Sequence, residues 1–244
     1  MKIKIKILTS LFFVGICAII FSEGAQAAPI YQSSGAFVGG NKDLNVPLPG
    51  AYKDGDVFLL FVESANQNIA VPAGWTQVAN SPQGTGPAGS AGGVRIAVFY
   101  KVAIGAQTSP TVVDSGDHTT AIIANFRGVD TASPIHLTSG SVDAVATSAI
   151  STPPLTTTIS ETLIVNAIGL DKDATDGDTI TTAPLNPELI NPTEQQDKTV
   201  STQSGGGIAF FTGTKLTAGN VGSTTATADS ATTHAYITIA LKPI

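Results

Sequence analysis

The sharpest concentration of chemically capable residues is Asp171-Lys172-Asp173-Ala174-Thr175-Asp176-Gly177-Asp178, with four carboxylates and one glycine in eight positions. Hard cations such as Ca²⁺ take six to eight oxygen ligands, so Asp171, Asp173, Asp176 and Asp178 are candidate metal ligands. Their spacing is not that of an EF-hand, and acidic turns are also common on solvated loops. A second group is aromatic. Trp75 is the only tryptophan and follows the turn Pro72-Ala73-Gly74, and Tyr100 and Tyr236 lie within strand-like runs. An exposed ring at Trp75, Tyr100 or Tyr236 would be a stacking platform for a sugar; a buried Trp75 would plug the end of a core.

Other motifs carry weaker signals. Gly84-Thr85-Gly86-Pro87-Ala88-Gly89 matches a dinucleotide fingerprint, but a strand pattern follows it and Pro87 lies inside it. Without a helix N-terminus it loses its anion site, so it reads as a mobile glycine-rich loop. Gly89-Ser90-Ala91-Gly92 lacks the first glycine of a nucleophile elbow, with Ala88 in its place. His118, His136 and His234 are the only histidines and stand too far apart for a short metal-ligand spacing, which suggests surface or loop positions. Asp56 and Glu63 are seven residues apart on one apolar run, more than about 20 Å on an extended strand, too far to flank one glycosidic bond. No convergent catalytic set emerges, and the sequence predicts a non-enzyme.

The segments that must hold these residues read as strands. Val57-Phe58-Leu59-Leu60-Phe61-Val62 and Leu163-Ile164-Val165-Asn166-Ala167-Ile168 are short apolar runs suited to central strands. Val94, Ile96, Val98 and Tyr100 alternate with Arg95, Ala97, Phe99 and Lys101, the period of a strand. Turn residues separate the runs, and no stretch of ten or more shows a helical stripe. Ser34 to Val62 also lies over Ser139 to Ala167 at an offset of 105, and Gly92 to Gly128 lies over Gly206 to Lys242 at an offset of 114. The expectation is an all-β fold, a β-sandwich or jelly roll built from two diverged internal repeats, residues 28–130 and 131–244, sharing one core. The change of offset predicts an insertion near Asp171 to Thr179.

Residues 1–27 combine Lys2, Lys4 and Lys6, an apolar run from Ile7 to Phe21, and Ala25-Gln26-Ala27, the pattern of a cleaved secretory signal. The remaining 217 residues contain no cysteine, which excludes disulfides and thiol chemistry, and they carry 9 basic against 17 acidic residues, a net −8. That balance leaves no footprint for nucleic acid or anionic lipid, and no further membrane insertion is expected. Secretion, to the cell surface or a periplasm, is the expected destination.

The run of Gly55-Asp56 plus an apolar strand, Pro72-Ala73-Gly74-Trp75-Thr76, Phe99-Tyr100-Lys101-Val102-Ala103, Phe126-Arg127-Gly128-Val129 and Pro134 resembles β-sandwich modules of phage tail and virion structural proteins and of bacterial secreted or surface proteins. The resemblance covers most of residues 28–244 and implies a structural or adhesive role, without catalytic residues. The expected partners are other protein subunits or a cell-surface component. The alternative is a carbohydrate-binding module with a structural calcium, and a secreted hydrolase stands behind both.

Overall fold

The computed structural model describes residues 27–89, 93–175 and 177–244. The signal-like segment lies outside this range, apart from Ala27. In chain order the strands begin with β1 (Ile30–Ser34), β2 (Val38–Gly40), β3 (Leu44–Asn45), β4 (Val57–Ser64), β5 (Thr76–Gln77) and β6 (Gln83–Gly84). They continue with β7 (Arg95–Val102), β8 (Thr111–Val112), β9 (Thr119–Arg127), β10 (Ile135–Ser151) and β11 (Thr156–Thr157). The last are β12 (Thr162–Leu170), β13 (Ile190–Val200), β14 (Gly206–Lys215), β15 (Gly219–Asn220) and β16 (Thr225–Leu241).

Twelve of these strands form two antiparallel sheets, and β3 with β8 and β11 with β15 form two short separate ladders. The first has the order β1-β9-β4-β7-β5, with β2 also on β9 and β6 also on β7; the second has the order β10-β16-β12-β14-β13. The sheets share one core. Val57, Leu59, Phe61, Ile96, Val98, Ile122, Ala124 and Phe126 of the first pack against Leu163, Val165, Ala167, Ile208, Phe210, Ala235, Ile237, Ile239 and Leu241 of the second. Phe61 and Phe210 stack across the gap at 4.8 Å, and Tyr31 meets Phe126 and Phe210 edge-on, both at 5.9 Å. The chain is therefore an all-β sandwich, as its alternating runs predicted.

The outer faces of the central strands are also covered. Phe58, Leu60 and Val62 lie under the short β3–β8 ladder and Trp75, while Ile168, Leu170 and Tyr236 lie under Ile150, Ile180, Ala226 and Ala228. This explains why β4 and β12 read as continuous apolar runs instead of alternating ones.

Both sheets place their strands in the same sequential pattern, so β9, β4 and β7 correspond by position to β16, β12 and β14. The gapless offsets do not survive at residue level. The 105 offset lays inward Leu59 over Ile164, which faces outward, and the 114 offset lays inward Ile122 over outward Tyr236. Only β7 and β14 keep their faces, with Ile96 and Phe210 both inward. An odd shift exchanges the two faces of a strand, and identities between threonines and alanines are too weak to detect it.

Candidate functional site

The inward face of β4 runs Val57, Leu59, Phe61 and then Glu63, so the strand's alternation carries a carboxylate to the end of the core. Glu63 is fully buried there. The second sheet makes room with glycines: a Cβ at Gly206 would collide with the Glu63 carboxylate and the His118 ring, and one at Gly169 would crowd Glu63 Cγ at 3.3 Å.

His118, immediately before β9, shares this pocket and is also fully buried. Its Nε2 lies 3.2 Å from Glu63 Oε1 and its Nδ1 lies 3.0 Å from Asp117 Oδ1. Thr120 Oγ1 donates to Glu63 Oε2 at 3.1 Å. From the turn between β13 and β14, Ser204 donates to Asp117 Oδ1 through both its hydroxyl, at 2.7 Å, and its backbone N–H, at 3.1 Å. The cluster thus ties a turn of one sheet to two strands of the other.

Its protonation decides its chemistry. Burial opposes charge on His118, but the hydrogen bonds and negative charge of Glu63 and Asp117 outweigh it and raise the imidazole to about 9. Burial pushes Glu63 up to about 7, against the downward pull of His118 and Thr120. An imidazolium at neutral pH donates from both ring nitrogens. Ser204 Oγ lies 3.2 Å from His118 Nδ1, but that nitrogen then has no lone pair to take a proton. The set resembles a nucleophile–base–acid row in composition, but the serine hydroxyl donates to Asp117 Oδ1, the same oxygen that His118 Nδ1 faces at 3.0 Å.

The expectation of surface histidines is corrected by this placement: His118 and His234 are both fully buried, and only His136 is partly exposed. Strand alternation explains it, because Thr120 and His118 continue the inward parity of Ile122 and Ala124, whereas His234 continues the outward, covered parity of Tyr236. His234 Nδ1 sits 3.5 Å from Asp143 Oδ2, and burial holds this ring below its ordinary value.

The remaining predicted residues divide. Trp75 is buried at 7% exposure and stacks near Phe58, so it plugs the outer face of the first sheet and offers no open ring. Tyr236 is fully buried and donates its hydroxyl to Asp143 Oδ2 at 2.6 Å. Of the three candidate stacking rings, Tyr100 alone stays half-buried at the surface.

Of the acidic loop, Asp176 lies outside the described residues. Asp171 Oδ2 accepts a hydrogen bond from Thr233, and the loop's far end is held by the buried Asp197 carboxylate, which accepts from Thr179 Oγ1 at 2.8 Å and Ile180 N at 2.6 Å. Among the described residues no three His, Cys, Asp or Glu side chains form a group able to hold a metal. The fingerprint glycines line an arginine instead of a phosphate: Arg95 Nη2 donates to Gly86 O and Asn66 Oδ1, both at 2.9 Å, and a Cβ at Gly84 would strike its guanidinium.

Two surface features lay beyond sequence reading. A groove of about 540 Å³ separates the Thr76–Asn80 segment and Tyr100 of the first sheet from Ala132–Thr138 of the second. The other is β10, a 17-residue strand at the edge of the second sheet, paired only with β16. No family model matches this chain, and comparison with curated proteins and solved structures finds no match either.

Proposed function

We propose that this is an exported, non-catalytic structural or adhesive protein that works by contact, through an exposed strand edge, with other protein subunits or a cell-surface component. The observation that carries the reading is the contrast between its sheet edges. The β13 edge contains Pro192, Glu194, Asp197 and Lys198, a proline and charges of the kind that discourage edge-to-edge pairing. The β1, β2, β5 and β6 edges are five residues or shorter. In contrast, β10 has 17 residues, no proline and Asp143 as its one carboxylate, and it exposes Leu137, Val142 and Val145. Asn80 covers the Thr138 carbonyl, and register shifts follow Asp143, so the strand is open in part and fit for a limited contact.

Main-chain pairing at such an edge supplies affinity with little demand on side chains. The shared strand order of the two sheets supports the accompanying reading of two diverged copies.

Light scattering on the purified protein tests the proposal. A discrete oligomer, or adhesion to cells, is expected, and Val142→Lys with Val145→Lys should weaken either at least tenfold without changing the melting temperature. A protein that stays monomeric and adheres to no surface overturns the reading, as does an assembly indifferent to both lysines.

A further inference from the structure

We propose that the groove at the head of β10 is a binding subsite for a neutral saccharide, with Tyr100 as its stacking ring. The inference rests on the adhesive reading and names the chemistry of its cell-surface partner.

The groove's size lies within the range of small-ligand clefts, about 300–1,000 Å³. Its lining contains no Asp, Glu, Lys or Arg, although the chain carries 30 such residues counted together. An anionic ligand would need a cationic partner there and a cationic ligand a carboxylate, because an ion withdrawn from water without one is strongly disfavoured. The single titratable ring besides Tyr100 is His136. Burial and Lys242 hold it below its ordinary value, and its Nε2 accepts a hydrogen bond from Thr158 N at 3.1 Å, so it is neutral at neutral pH. Lys242 itself is paired with Asp130 at 2.6 Å and does not line the groove.

What remains is an aromatic ring among amides and hydroxyls. Tyr100 is half-buried, so one part of the ring is fixed by packing, and among the described residues nothing hydrogen-bonds to its hydroxyl. The amides are held in place: Asn80 Nδ2 donates to Thr138 O at 2.9 Å and Thr138 Oγ1 at 2.8 Å, and Gln77 Nε2 donates to Ser81 O. Each keeps its side-chain oxygen uncommitted among the described residues, and Thr76 contributes an exposed hydroxyl. A sugar ring presents an apolar C–H face to stack on a phenol and hydroxyls to meet such acceptors and donors, with no charge to desolvate.

Native affinity electrophoresis through gels containing soluble starch, xylan, mannan or mixed-linkage β-glucan, with polygalacturonate as the charged counterpart, tests this. At least one neutral polysaccharide should retard the protein and polygalacturonate should not. Tyr100→Phe should keep the retardation, Tyr100→Ala should weaken it at least tenfold, and Thr76→Val, at an exposed position that leaves folding intact, at least threefold. The inference is overturned if no neutral polysaccharide retards the protein, if polygalacturonate retards it more, or if Thr76→Val and a folded Tyr100→Ala both bind as before. Assembly or cell adhesion sensitive to Val145→Lys without any saccharide retention would sink the groove and leave the adhesive reading standing. Retention by a monomer that neither assembles nor adheres would do the reverse.

Discussion

At the scale of single residues, Glu63 and His118 are buried together and both are raised above their ordinary values. His118, raised from an ordinary 6.5 to about 9, contributes stability that is fully present below about pH 6.5 and lost as the pH climbs through about 9. Glu63 is raised from 4.5 to about 7 and has the same sign, since the folded state holds its proton more tightly. Asp117 and His234 are lowered and act oppositely, losing their contributions as the solution is acidified. Chemical unfolding should therefore show stability falling between pH 7 and 9.5, by on the order of 3 kcal/mol for a shift of this size. Replacing both partners, Glu63→Gln with His118→Gln, should flatten that fall. A wild-type profile that is level across this range would contradict the assigned protonation. The sequence placed Glu63 just beyond the apolar run Val57 to Val62, but only as a carboxylate too far from Asp56 to share a glycosidic bond with it. Nothing in the sequence, however, paired it with a histidine 55 positions away.

At the scale of elements, the two sheets meet through complementary volumes. Phe61 and Phe210 fill the centre of the gap, and Gly206 and Gly169 empty its end so that Glu63 and His118 fit. Phe210→Ala should cost about 3–5 kcal/mol in urea unfolding, the usual loss for a buried phenylalanine. Gly206→Ala inserts only a methyl group, yet it collides with two side chains fixed by hydrogen bonds. It should cost about 1–3 kcal/mol and flatten the alkaline transition, because the clamp must open to admit the new atom. An unchanged melting curve for Gly206→Ala would show that the second sheet can yield there. Strand identity was legible from Val57 to Val62 and from Arg95 to Lys101, because both runs obey simple apolar patterns. Register was not: the offset of 105 residues matched serines and glycines while reversing the faces of β4 and β12.

At the scale of the whole molecule, the two edges of the second sheet differ in length and charge. The β13 side is guarded by proline and charge, while β10 presents 17 residues with one carboxylate. If contact runs through β10, lysines at Val142 and Val145 weaken assembly at least tenfold, and the corresponding change on the guarded side, Thr193→Lys on β13, leaves it intact. Sedimentation velocity on the two variants distinguishes an edge contact from a general loss of solubility, which both substitutions would affect alike.

Composition and local order determined a good deal of this protein. Alternating and continuous apolar runs, turn residues between them and the absence of a helical stripe dictate an all-β sandwich, because each is a short-range requirement of strand and turn geometry. Only the tertiary structure decided which rings are open and which groups are charged together. Trp75 and Tyr236 are buried although they lie on the outer faces of the two sheets, because covering segments close both faces, a consequence of loops distant in the chain. Glu63, His118, Asp117 and Ser204 meet because two sheets converge at one end of the core, and the groove beside Tyr100 exists only where their edges part. Those contacts span 55 to more than 80 positions, and no local pattern encodes which segments will lie opposite one another.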